Sequence, residues 1–113
     1  MTDLSAVLFD REAVYQNAKE REMRRVQPGW WVRSYRADET ETWFPVRVVV
    51  DTTRMSDNAK ITRLYVTDQY DGDSVEVPNY SRSQVLCLTA AEAKRAGLVD
   101  RFATNPALSA EEA

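Results

Sequence analysis

The sequence predicts a mainly β domain of five short strands with one helix before them and a shorter one after. Three observations carry that expectation. Between residues 29 and 88, apolar and β-branched side chains come in short runs that alternate with polar ones, and turn residues separate the runs. The window before them, residues 11–26, lacks proline and glycine and is rich in helix formers, and the window after them opens with capping-box spacing at Thr89 and Glu92. All three tryptophans, Trp30, Trp31 and Trp43, fall within the first two strands. At 113 residues the chain is one domain.

The elements follow in order. Asp10 is placed to N-cap a helix over residues 10–26, whose buried stripe of Val14, Ala18, Met23 and Val26 is narrow. Gln27-Pro28-Gly29 ends it. The first strand puts Trp31, Arg33 and Tyr35 on one face and Trp30, Val32 and Ser34 on the other. Residues 37–42 form a polar loop. In the second strand Phe44, Val46, Val48 and Val50 share the core face, with Trp43, Pro45, Arg47 and Val49 opposite. After a polar turn over 52–59, residues 60–68 form the third strand, with Leu64 and Val66 on the face away from Tyr65. Asp71-Gly72 marks a hairpin turn. Short strands follow over 75–77 and 84–88, joined by residues 78–82. Thr89 and Glu92 have capping-box spacing for a helix over 89–97, and Gly97-Leu98 fits a Schellman ending. Residues 104–113 read as a frayed acidic tail.

Composition narrows the function. The net charge of −3 and pI near 5.0 argue against a protein that coats nucleic acid non-specifically. The charge is uneven: residues 11–36 carry +4 and residues 37–113 carry −5. The single cysteine, Cys87, fits a reducing compartment. With neither a leader-like N-terminus nor an apolar run of bilayer length, a cytoplasmic protein off the membrane is expected. Arginine outnumbers lysine twelve to three, as in proteins of GC-rich genomes.

Gly29-Trp30-Trp31-Val32, followed by Trp43-x-Pro45-Val46-x-Val48-Val49 and short strands to Leu88, resembles the small SH3-like or Tudor-like β-barrels, including those in short proteins of actinobacterial phages and plasmids. The resemblance implies a five-stranded barrel over 29–88. It also implies a binding role toward peptides, modified side chains or nucleic acids, and an accessory factor of a mobile element would fit.

Enzyme chemistry has little to stand on. The sequence contains no histidine, the commonest general base near neutral pH. Cys87, between two leucines, reads as a small buried thiol. Asp68, Asp71, Asp73 and Glu76 around Gly72 lack the spacing of a calcium-binding EF-hand and read as a solvated turn. No glycine-rich phosphate loop is present, so neither a metal nor a cofactor is expected. The aromatics and arginines give the better lead. Either the helices cover the outer aromatics, or Trp31, Arg33, Tyr35, Trp43 and Arg47, with Tyr65 nearby and Arg24 and Arg25 as a basic rim, form a contact surface for a partner protein. The alternative ligand is nucleic acid, with bases stacked on Trp31, Tyr35 and Tyr65 and with Arg21, Arg24, Arg25 and Arg33 on phosphates. Helix-dipole complementation by Arg21, Arg24 and Arg25 is the plainer account of that cluster.

Overall fold

The computed structural model describes residues 10–36, 41–77 and 84–103. The fold is mainly β, as expected, but the described residues form six strands in one open antiparallel sheet rather than five in a closed barrel. The chain runs α1 (Arg11–Asn17), β1 (Lys19–Glu22), a 3₁₀ turn (Met23–Arg25), β2 (Trp31–Tyr35), β3 (Glu41–Thr53), β4 (Lys60–Thr67), β5 (Ser74–Val77), β6 (Gln84–Leu88) and α2 (Ala90–Arg95). The strand order is β1-β6-β2-β3-β4-β5, which leaves β1 and β5 as the two edges.

The extra strand comes from the segment expected to continue the first helix. Asp10 caps α1 as predicted, its carboxylate accepting from the amides of Glu12 and Ala13. The helix then ends after seven residues, and Lys19–Glu22 pairs with β6, Lys19 opposite Cys87 and Glu22 opposite Gln84. Helical periodicity explains the break. At 3.6 residues per turn, Val14 and Met23 would point about 180° apart on a continuous helix, so one helix could not bury both. Once the segment is broken, Val14 packs under the helices and Met23 enters the core inside the sheet.

β3 is the spine. Its first part pairs with β2, from Glu41 opposite Tyr35 to Pro45 opposite Trp31, and its remainder pairs with β4. The register shifts between Val46 and Val48, where β3 advances two residues for one on β4. Arg47 is the extra residue of a β-bulge. Beyond it the alternation inverts: Val48 and Val50, expected in the core, are 49% and 36% exposed, while Val49 packs against the core opposite Leu64. A one-residue slip moves every later side chain to the other face.

Two apolar clusters lie on opposite faces of the sheet. Val32, Phe44, Val46, Leu64, Val66, Val77, Val85 and Cys87 fill the inner face, together with Met23 and Val26. Trp31, Trp43 and Leu88 lie on the outer face with Val14, Ala93 and Ala96. α2 has the predicted capping box, with the Glu92 amide donating to the Thr89 hydroxyl and the Thr89 amide to the Glu92 carboxylate. It also ends as predicted, with Gly97 at φ +81° and the Leu98 amide donating to the Ala93 carbonyl. The expected loop at 37–42 is shorter than predicted, since Glu41 and Thr42 already belong to β3. Residues 37–40, the connection over 78–82 and the tail over 104–113 lie outside the described residues. Among the described residues, no helix is long and apolar enough to cross a membrane.

Candidate functional site

The structure separates the residues expected to form one aromatic and arginine surface. Trp31 and Trp43 point to the same side of the sheet, as their alternation required, but the helices cover that side. Trp31 is 6% exposed and Trp43 is 1% exposed. Tyr15 of α1 meets the Trp43 ring edge-on, with centroids 5.7 Å apart, and its hydroxyl donates to Glu41. Burial under the helices is observed for these two tryptophans. Tyr35 remains on the surface, and Arg33 and Tyr65 are half-buried. Tyr65 lies on β4 opposite Val48, beyond the bulge and away from the tryptophans.

The arginines have mostly been taken up in ion pairs. Arg21 forms a bidentate pair with Glu92 at 3.0 and 2.8 Å, and its guanidinium lies 5.4 Å from the centre of the Trp30 ring. Hydrogen bonding to Arg21 holds the Glu92 carboxyl down at about 2, and the same contact raises the Arg21 guanidinium. Arg47, the bulge residue, binds Asp100 in the segment after α2, and Gln69 donates to the same carboxylate at 3.1 Å. Burial pushes the Asp100 carboxyl up, but Arg47, the Phe102 amide and Gln69 outweigh it and hold the group below its ordinary value. Arg24 pairs with Glu22 at the surface. Arg25 is exposed and, like Arg33, has no carboxylate partner among the described residues. Cys87 is fully buried, with its thiol donating to the Lys19 carbonyl at 3.5 Å. Burial pushes this thiol up, against the pull of Arg21.

What the topology does bring together is a cleft of about 330 Å³ at one end of the inner face. Its floor is Phe44 of β3, Val66 of β4, and Val75 and Val77 of the edge strand β5. The end of β2 contributes Ser34, Tyr35 and Arg36, and the β4–β5 turn contributes Asp68, Asp71 and Asp73, with Glu76 beside them. The turn is built by its own bonds. The Asp68 amide donates to the Asp73 carbonyl and the Gly72 amide to the Asp68 carbonyl, with Gly72 at φ +81°. A side chain at Gly72 would also meet the Phe102 ring at 2.9 Å, so the turn and the segment after α2 fit against each other.

Four carboxylates and one guanidinium line this cleft, so its potential is negative. Asp68 is neutralised by Arg36, which stacks over Tyr70 with 4.1 Å between guanidinium and ring centre. Glu76 meets Arg63 at 3.3 Å. Asp71 and Asp73 are exposed and have no cationic partner among the described residues. No group of three or more potential ligands among the described residues is arranged to hold a metal ion. Sequence reading picked out these acidic residues but assigned them to a solvated turn. Their apolar neighbours Phe44 and Tyr35 come from strands 24 to 41 residues away, and pairing alone brings them into place.

Comparison with protein families, with curated proteins and with solved structures finds no match to this chain.

Proposed function

We propose that this is a non-enzymatic interaction protein that binds a protein partner through the cleft between the end of β2 and the β4–β5 hairpin. The observation that carries the reading is the combination of an apolar floor with an acidic rim in which Asp71 and Asp73 have no cationic partner among the described residues. Such a site favours a cationic side chain with an aliphatic stem, a lysine or an arginine, because its stem buries on the floor while its head stays at the charged mouth. The same rim repels phosphate. Arg21 is held by Glu92 and Trp31 lies under the helices, so neither is presented to a nucleic acid.

The test is affinity capture from nuclease-treated lysate with the wild-type chain and with Asp71→Asn/Asp73→Asn. A partner that survives nuclease, is lost with rising salt and is lost with the double variant supports the reading. Tight binding of the wild type to random single-stranded oligonucleotides at physiological salt would overturn it.

A further inference from the structure

The cleft runs alongside β5, an edge strand of the sheet formed by the described residues. β5 is the last strand of the sheet; one side pairs with β4, from Ser74 opposite Thr67 to Val77 opposite Leu64, and the other meets no strand among the described residues. Val75 and Val77 stand on the same face as their partners Val66 and Leu64, which is the inner face. The other edge of the sheet, β1, carries Lys19, Glu20, Arg21 and Glu22 in succession, the kind of charged edge that discourages pairing with another chain. β5 has only Glu76 for that purpose.

A buried hydroxyl lies next to two of the cleft-lining residues. Thr42 lies opposite Ser34 in the β2–β3 pairing and shares a face with Phe44, and both of those residues line the cleft. The Thr42 hydroxyl is buried, the residue being 2% exposed, and has no hydrogen-bond partner among the described residues.

Resting on the proposed protein-binding role, we infer that the occupant is an extended basic segment of the partner, added as a seventh strand along β5. Main-chain bonds to β5 would fix the segment, while alternate side chains point inward over Val75 and Val77. The inward positions carry the lysine or arginine whose head reaches Asp71 and Asp73. Charge complementarity selects this occupant over an acidic segment, and an edge that meets no strand among the described residues selects an extended segment over a helix.

The test starts from a displayed library of random eight-residue peptides selected against the full chain. The enriched peptide is then synthesised in three forms: unmodified, with norleucine for its cationic residues, and with N-methyl groups on alternate amides in each of the two phases. Binding is titrated against the wild type and Asp71→Asn/Asp73→Asn, with hydrogen exchange followed on the amides of 74–77. Basic peptides should be enriched, and norleucine and the double variant should each weaken binding about tenfold. N-methylation should weaken it about tenfold in one phase and little in the other, because alternate residues of an added strand turn their amides toward the edge. The β5 amides should gain protection. If charge changes weaken binding but neither N-methyl phase does, strand addition is wrong and the cleft reading stands. If the enriched peptides lack cations or ignore the double variant, both are wrong.

Discussion

β3 crosses from one kind of environment to another within a single strand. Up to Val46 it is buried on both faces, with Phe44 and Val46 in the inner core and Trp43 beneath the helices. After the Arg47 bulge only one face is covered, and Val48 and Val50 look out toward solvent beside Arg63 and Tyr65. The helix-covered half also has the more deeply buried ion pair, Arg21–Glu92, while the hairpin half is held by the Asp68–Asp73 turn and by Asp100 on Arg47. The candidate cleft lies where the covered part of β3 meets the β4–β5 hairpin: Phe44 comes from the covered part, and Val66, Val75 and Val77 come from the hairpin. A cleft next to a hairpin that is thinly covered can adjust to an added strand while the opposite half keeps the register.

That comparison breaks most visibly if the two halves are equally tolerant of damage. Arg21→Ala should be the costliest change, at about 3–5 kcal/mol, because it leaves the Glu92 carboxylate buried without its partner and removes the guanidinium over Trp30. Denaturant titration measures this. A loss below about 1 kcal/mol would mean that the pair is solvated and that the covered half is not anchored there.

Acid should act on the same pair. The Glu92 carboxyl sits at about 2 in the folded chain against an ordinary value of 4.5. A depressed carboxylate contributes stability that is fully present above its unfolded value and is lost as pH falls through the folded one. Stability should therefore decline between about pH 4.5 and pH 2, and Glu92→Gln should flatten that part of the profile. Asp100 has the same sign, so some acid sensitivity should persist in the variant. An unchanged profile in Glu92→Gln would place the titrating group elsewhere.

Gly72→Ala should be intermediate, costing about 1–3 kcal/mol, since it forces a side chain into a left-handed backbone conformation. The added methyl also has to displace the Phe102 ring, which belongs to the segment after α2. If the two halves are mechanically distinct, hydrogen exchange should accelerate around 68–77 and stay unchanged in β1 and β6.

The sequence made the local punctuation legible and left the long-range consequences hidden. Asp10, Thr89 with Glu92, Gly97 and Asp71-Gly72 each act through groups within a few residues, and each does what its local chemistry requires. The strand at 19–22 was hidden because Lys-Glu-Arg-Glu has no strand-like pattern of its own and is recruited by β6 from nearly seventy residues away. The tryptophans were placed on the right side of the sheet, but which side the helices would cover depends on packing rather than on alternation. The acidic residues of the candidate cleft were visible, and its apolar floor was not, because Phe44, Val66 and Val77 meet only through the order of the strands.

The smallest effect expected is also the most diagnostic of the bulge. In Val46-Arg47-Val48-Val49-Val50, unbroken alternation puts Val48 inside and Val49 outside, and the observed register shift reverses them. Val48→Asp should then cost about 1 kcal/mol or less, mostly lost strand preference, because half of the residue's surface is already in water opposite Tyr65. Val49→Asp should cost several times more, since its side chain packs against the inner core opposite the fully buried Leu64 and would carry an unpaired carboxylate there. The ratio matters more than either value. Both substitutions introduce the same charge and remove the same apolar group one residue apart, so differences in the unfolded chain nearly cancel. Equal costs would mean that the outer face of the hairpin is covered after all, and a reversed ratio would mean that β3 runs through Arg47 without a bulge.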